Sequence, residues 1–333
     1  MAFLLDGLHE DLNRVLKKPY FGNNDEEDNK EGKPQPTDLI LATELWSQHI
    51  ARNRSIVQEM FHGMFKSRVR CPHRQCQHTS IVFDPFMYLS LPLSSPSTSG
   101  SSGGGSDGLG LRSRGVGSEK SITLQQALNN FTAEEELGKD NEWYCPKCKD
   151  QRCAYKKLDI WRLPEVLILH LKRFSQGKYR RKKLECSVDF PLEGLDMTPY
   201  VVESSPHRTD DNNLYDLFAV SCHSGGLGGG HYTASVKHYA TGQWMDCNDS
   251  RVTSLNGPPH SSLGVSAYIL MYRRRQPKVG GGGGSVAGSV AGGGGGLGSR
   301  IRKGGKLRFL FLLLVTGTLI QEHLYMYVKL WLF

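Results

Sequence analysis

Four cysteines constrain the fold of this chain more tightly than any other feature of its 333 residues. Cys145 and Cys148 form a CxxC turn, Cys71 and Cys76 a wider CxxxxC turn, and about 70 residues separate the two pairs. Short spacing lets both sulfurs of a turn point at one centre, so two such turns can close a tetrahedral thiolate site on a zinc ion. The separation exceeds that of a compact zinc finger. The two turns are therefore expected at the tips of two hairpins that tertiary structure brings together. Four sulfur ligands leave no position for water, which makes the centre structural. Two other readings of the same residues stay open: unpaired surface thiols, or a set in which His73 or Cys153 replaces one ligand.

The remaining cysteines, Cys153, Cys186, Cys222 and Cys247, are scattered. Met1–Gly7 is apolar only as far as Leu5, with no basic stretch and no small-residue cleavage site, so it does not read as a secretory leader. A reducing compartment, cytoplasmic and/or nuclear, is expected, where closely spaced cysteines serve as ligands or nucleophiles more often than as disulfides.

Periodicity gives an α+β arrangement with helices preceding a mainly antiparallel sheet. Leu124, Ala127, Leu128 and Phe131 fall at helical spacing behind a Ser/Thr-containing start. Val166–Leu171 is a short apolar run after Pro164, the pattern of a buried strand. Leu217–Ser221, His231–Lys237, Gln243–Asp246 and Ala267–Tyr272 are further strand candidates.

One pair of these strands carries a second set of reactive side chains. A glycine-rich turn, Gly225–Gly230, runs directly into His231 and Tyr232, and glycine there allows an extended peptide to lie against the main chain beside His231. Shortly downstream, Asn248 and Asp249 stand at the end of the next strand. A histidine on one strand with Asn or Asp on its neighbour is what a general base and its orienting partner require.

The formal charge of +8 suggests a nucleic-acid partner until it is localised. Residues 1–272 hold 31 Lys and Arg against 32 Asp and Glu, so the excess lies behind them, in Arg273–Arg275 and the last 34 residues. Phosphate binding needs a basic face on the folded body, so nucleic acid is disfavoured as a partner. Two segments are compositionally foreign: 94–118 and 280–299 carry 20 of the 38 glycines. The first reads as a flexible Ser/Gly insertion inside a domain and the second as a linker ending one. Asn23–Glu31, followed by Pro34 and Pro36, reads as a third, shorter solvated loop. In the tail, the longest run without a charge, Phe309–Gln321, has 13 residues, short of the roughly 20 that span a bilayer. We read it first as a non-native extension, with membrane contact assigned only to 307–333.

The segments LLDGLHEDLNR (4–14), VRCP…C…FDPFMYLSLPL (69–93), WYCPKCKDQ (143–151), LPEVLILHLKRF (163–174), YDLFAVSCHSGGLGGGHYTASV (215–236), WMDCNDSRV (244–252) and AYILMYRRR (267–275), in that order, resemble the ubiquitin-specific protease family of cysteine deubiquitinases. The resemblance implies a fingers–palm–thumb fold over residues 1–276; by composition the chain then continues into a glycine-rich linker at 277–300 and a hydrophobic tail at 301–333. It implies hydrolysis of the bond after the C-terminal glycine of ubiquitin, with ubiquitin and ubiquitinated proteins as partners. By this likeness His231 matches the catalytic histidine, Asn248 the third member of the triad and Asp249 the adjacent acidic residue. Cys71, Cys76, Cys145 and Cys148 match the zinc ligands, although the first knuckle is two residues wider than usual. Asp6 falls in the segment that faces the basic tail of ubiquitin, where a carboxylate suits Arg side chains. Tyr232 and Gly230 flank the channel for its Gly-Gly end. In the family the nucleophilic cysteine sits in a box of the GNTCYMNS type, upstream of the segment at which this chain begins. The expectation is a partial catalytic domain lacking most of the thumb and inactive by itself. The alternative is a pseudo-protease that binds ubiquitin without cleaving it.

Overall fold

The computed structural model describes residues 1–22, 37–93, 121–176, 181–209, 213–226, 229–259 and 261–276. The expected loop at 23–31, the insertion at 94–118, the linker and the tail lie outside these residues. Met1–Arg275 forms one compact unit. Among the described residues no helix is long and apolar enough to cross a membrane.

Helices α1 (Ala2–Asp11), α2 (Asp38–Arg52) and α3 (Ile56–Phe61) open the chain. Thr37 and Ser55 cap α2 and α3 by accepting the N–H of Ile40 and Gln58, which satisfies donors the helix cannot pair itself. Leu5 and His9 are the buried side chains of α1, and His9 is tied to Ser55 Oγ at 2.6 Å and to Asn53 Oδ1 at 3.0 Å.

Next come β1 (Gly63–Arg70), β2 (Thr79–Phe86), β3 (Leu89–Pro92), β4 (Ser121–Thr123), α4 (Leu124–Thr132) and β5 (Glu135–Glu136). A short hairpin of β6 (Trp143–Cys145) and β7 (Asp150–Arg152) leads into β8 (Tyr155–Arg162). Helix α4 forms where its apolar spacing predicts. Thr123 and Gln126 make a reciprocal capping box, and Leu124, Ala127 and Leu128 are its buried face. Burying each of the two leucines contributes about 1.5–3 kcal/mol.

The first sheet has the order β2-β1-β8-β5, all antiparallel. Its register runs from Met64 opposite Arg162 to Arg70 opposite Tyr155. The end of β1 is thereby set beside the start of β8, three residues after β7. That pairing is what closes the 70-residue gap between the cysteine turns.

The second half contains β9 (Val166–Lys172), β10 (Phe174–Gln176), β11 (Arg181–Lys183), β12 (Ser187–Asp189), β13 (Leu195–Asp196), β14 (Leu214–Gly226), β15 (Gly229–Lys237), β16 (Trp244–Asn248), β17 (Arg251–Ser254) and β18 (Ala267–Arg274). The large sheet runs β17-β16-β15-β14-β18-β9-β3, with β13 also on β14, and only the β3–β9 pair is parallel. Apolar β9 is buried along nearly its whole length, and α4 packs against β3 and β8 over the same core.

Every strand expected from sequence forms. All five run past their apolar patterns, most of all Leu217–Ser221, which is the middle of a 13-residue strand, while β16 continues past Asp246 to Asn248. The glycine-rich stretch is also corrected. It is paired strand, Gly225 opposite Gly230 and Gly226 opposite Gly229, rather than a turn along its whole length. Glycine is required because the two backbones approach so closely: a Cβ on Gly225, where φ is +105°, would lie 2.7 Å from Gly229 O and from Gly230 Cα.

Candidate functional site

The β1–β2 and β6–β7 hairpins meet at their tips. There the Sγ atoms of Cys71, Cys76, Cys145 and Cys148 all lie within 4.8 Å of one another. Cys71 Sγ is 3.8 Å from Cys148 Sγ, and Cys76 Sγ is 3.6 Å from Cys145 Sγ. Sulfurs held about 2.3 Å from a common tetrahedral centre are about 3.8 Å apart. These separations therefore fit a four-coordinate metal and are much too long for disulfides, and all four thiols are free. Burial pushes Cys76 up, but the His78 N–H and the neighbouring sulfurs outweigh it and hold the thiol at about 7. Cys148 is pushed up to about 12, first by Cys76 and then by burial and the other sulfurs.

The two turns share a backbone design despite their different widths. In each, an i to i+4 hydrogen bond closes the turn, Gln77 N to His73 O and Lys149 N to Cys145 O, and the residue after the second cysteine is left-handed: Gln77 at φ 48° and Lys149 at φ 54°. His73 thus occupies the place in its turn that Cys145 occupies in the other. The two extra residues move the ligand back to Cys71, whose N–H is bonded to His78 O at 2.9 Å. The converging set contains neither His73 nor Cys153, and the Cys153 thiol instead faces Glu142 Oε1 at 3.7 Å. The stacked rings of His78 and Trp143, 6.0 Å apart, join the two tips.

The second constellation lies at the end of the β14–β15 hairpin. His231 pairs with Ser224, and its Nε2 lies 2.6 Å from Asn248 Oδ1. An amide oxygen only accepts, so Nε2 carries the proton and the lone pair of Nδ1 is left to act as a base. Register explains the contact. Ala234 is opposite Cys247, which sets Asn248 at the level of Thr233, two residues from His231 on the same face. Asp249 follows at φ 50° in the two-residue turn that links Asn248 to Arg251, a position where Asp is tolerated.

Tyr232 points to the opposite face, where its ring lies 4.5 Å from His223 and 6.1 Å from Tyr268. Gly230 serves this packing: a Cβ there would meet His223 Nε2 at 2.2 Å and Ser224 O at 2.5 Å. Asp6 is not part of this group; it is exposed on α1, which packs on α3.

No described thiol is presented to Nδ1 of His231 by this arrangement. Cys222 belongs to the main core, where burial raises its pKa, and Cys247 faces away from His231 by strand alternation, its thiol also raised by burial. Cys186 lies between β11 and β12, its carbonyl bonded to Arg173 at 2.8 Å.

Two positions were missed from sequence. Arg173, wholly buried, donates to the carbonyls of Ala267, Leu184, Cys186 and Gly264 and so pins β11 and β12 beside the start of β18. Its signal was a charged pair, Lys172-Arg173, ending an apolar strand. Lys183 donates to two carbonyls of the His231 hairpin. It stands in a run of basic residues and carries no distinguishing pattern.

A sequence profile of the family described as ubiquitin carboxyl-terminal hydrolase matches residues 1–272. Human ubiquitin carboxyl-terminal hydrolase 2 is 35% identical over 278 residues, which cover 83% of this chain and 40% of that protein. Ubiquitin carboxyl-terminal hydrolase 9 of Arabidopsis thaliana is 46% identical over 156 residues, covering 47% of this chain and 16% of that protein. The chain thus spans about two fifths of the length of the human relative. Among solved structures, the yeast SAGA DUBm with an Sgf73 mutant matches at 28% identity and a TM-score of 0.53, covering 83% of this chain and 50% of that chain. The strand-rich α+β architecture resembles that structure.

Proposed function

The chain belongs to the ubiquitin carboxyl-terminal hydrolase family, and we propose that it supplies the general base and its orienting partner of a thiol-dependent deubiquitinase. The observation that carries the reading is the 2.6 Å contact between His231 Nε2 and Asn248 Oδ1, made by neighbouring strands inside the span that the family profile matches. His231 Nδ1 takes the proton of a cysteine thiol as the thiolate attacks the carbonyl carbon of ubiquitin's C-terminal glycine. It then gives that proton to the leaving amine, and the thioester formed is hydrolysed by water that the same nitrogen deprotonates. Asn248 fixes the tautomer and the ring orientation without adding charge. Asp249 flanks the pair. Tyr232 and Gly230 border the path of the extended Gly-Gly end, and Asp6 meets the basic tail of ubiquitin. None of the eight cysteines, all of them described, is presented to His231 Nδ1, so the 333-residue chain by itself binds ubiquitin without turning it over.

Cys71, Cys76, Cys145 and Cys148 hold a structural zinc ion that fastens the two hairpin tips. Residues 1–276 act as the catalytic-domain portion, followed by the linker at 277–300 and the tail at 301–333. Free thiols suit a reducing compartment, the cytoplasm or nucleus.

The test uses the whole chain. Titration with ubiquitin should show saturable binding, and a ubiquitin C-terminal fluorophore conjugate should release no fluorophore. Absence of binding would overturn the reading. Turnover lost in Cys222→Ser would replace the external thiol with Cys222.

A further inference from the structure

Strand β14 has two edges, and they are satisfied differently near His231. One edge pairs with β15 as far as Gly226 opposite Gly229. The other pairs with β18, but that ladder stops at Cys222 opposite Ala267, with a last bond from His223 N to Ser266 O at 2.8 Å. In a strand the N–H and C=O of one residue leave by the same edge, and alternate residues share that edge. The carbonyls of His223 and Gly225 therefore face the side on which β18 has run out.

The ammonium of Lys183 fills that gap. Its Nζ donates to His223 O and to Gly225 O, each at 3.0 Å. The two carbonyls flank Ser224, the register partner of His231. Phe174, opposite Lys183 in the β10–β11 pair, sets its ring against His223 at 5.9 Å. The His223 ring in turn lies on Tyr232 and fills the space at Gly230, the two chain neighbours of His231.

We propose that Lys183 is a positioning residue for His231: its ammonium replaces the missing strand and clamps the glycine-rich end of β14 and β15. The proposal deepens the reading of His231 as the general base and rests on it. A glycine-rich strand end has little side-chain packing of its own, so two charge-assisted bonds to its backbone are a large share of what orders it.

Amide hydrogen exchange on the full 333-residue chain tests the clamp. In Lys183→Met, amides of 223–226 and 229–233 should exchange at least about tenfold faster, while those of β16, β17 and the cysteine turns keep their rates. Lys183→Arg, which retains donors and charge, should restore protection. Ubiquitin affinity, measured in parallel, should fall with protection in the Met variant and recover in the Arg variant. Unchanged exchange at 223–233, or an acceleration spread evenly over the sheet, would overturn the clamp. Lys183→Gln is read in the same way and decides the matter if the Met variant does not fold. Failure of the wild type to bind ubiquitin would count against the proposed function alone, because the exchange pattern reports on the clamp without any ligand.

Discussion

At the cysteine turns four side chains converge from two hairpin tips, and three of the four are buried; at the β14–β15 end two exposed side chains, His231 and Asn248, meet across the ends of the paired strands β15 and β16. The first arrangement is closed by its own ligands. Once Cys71, Cys76, Cys145 and Cys148 share a cation, the hairpins have no freedom to separate. The second owes its geometry to things elsewhere: the β15–β16 register, the ring of His223 beneath Gly230, and the Lys183 ammonium on the far edge of β14. A structural centre can afford local over-determination, whereas a base that must meet a substrate has to remain open and be held from behind.

The widest gap between the two regions should open on metal removal. Chelation, or Cys145→Ser, is expected to release one zinc per chain and to destabilise the chain by at least about 5 kcal/mol, since a metal-bound structural site carries its binding free energy into folding. Metal analysis and denaturant unfolding measure both. If the hairpin tips keep their hydrogen-exchange protection without zinc, the contrast drawn above collapses, because the cysteines would then be passengers on a self-sufficient sheet.

A smaller effect is expected from crowding the exposed site. Gly230→Ala places a methyl group 2.2 Å from His223 Nε2 and 2.5 Å from a strand carbonyl, so the His223 ring and the hairpin must shift apart. Overpacking of this kind costs about 1–3 kcal/mol. The thermal midpoint should fall by several degrees, and ubiquitin binding should weaken more than stability does, because the displaced backbone borders the proposed peptide path. An Ala variant with wild-type stability and affinity would show that the hairpin is not held from behind by His223.

The same contrast explains what could be read before the fold was known. The cysteine set was legible because ligand spacing is a local property, and α4 because its period and its cap occupy adjacent residues. His231 and Asn248 were found by residue type and by resemblance, but their 2.6 Å contact depends on the register between β15 and β16, which no short pattern encodes. The glycine-rich stretch reads as a turn because glycine marks turns as readily as close strand approach; only pairing distinguishes the two. Lys183 is invisible as a functional group, and Arg173 shows only as a charge ending an apolar strand, because their partners are backbone carbonyls. Backbone acceptors exist at every residue, so only three-dimensional proximity tells which ones a cation will find.

Removing the Asn248 side chain should give the smallest change in stability and the most local consequence. Asn248 is exposed, and a single hydrogen bond at such a position contributes about 1 kcal/mol or less, so Asn248→Ala should move the thermal midpoint by no more than a few degrees. What it removes is the acceptor that keeps the proton on Nε2 of His231. Nitrogen NMR of the imidazole should show a dominant Nε2–H tautomer in the wild type and a mixture in the variant, with Gln at 248 failing to restore it because the longer side chain misplaces the oxygen. A variant that keeps the Nε2–H tautomer would mean that the strand itself, rather than Asn248, orients the ring. In that case the exposed site would be as self-contained as the thiolate cluster.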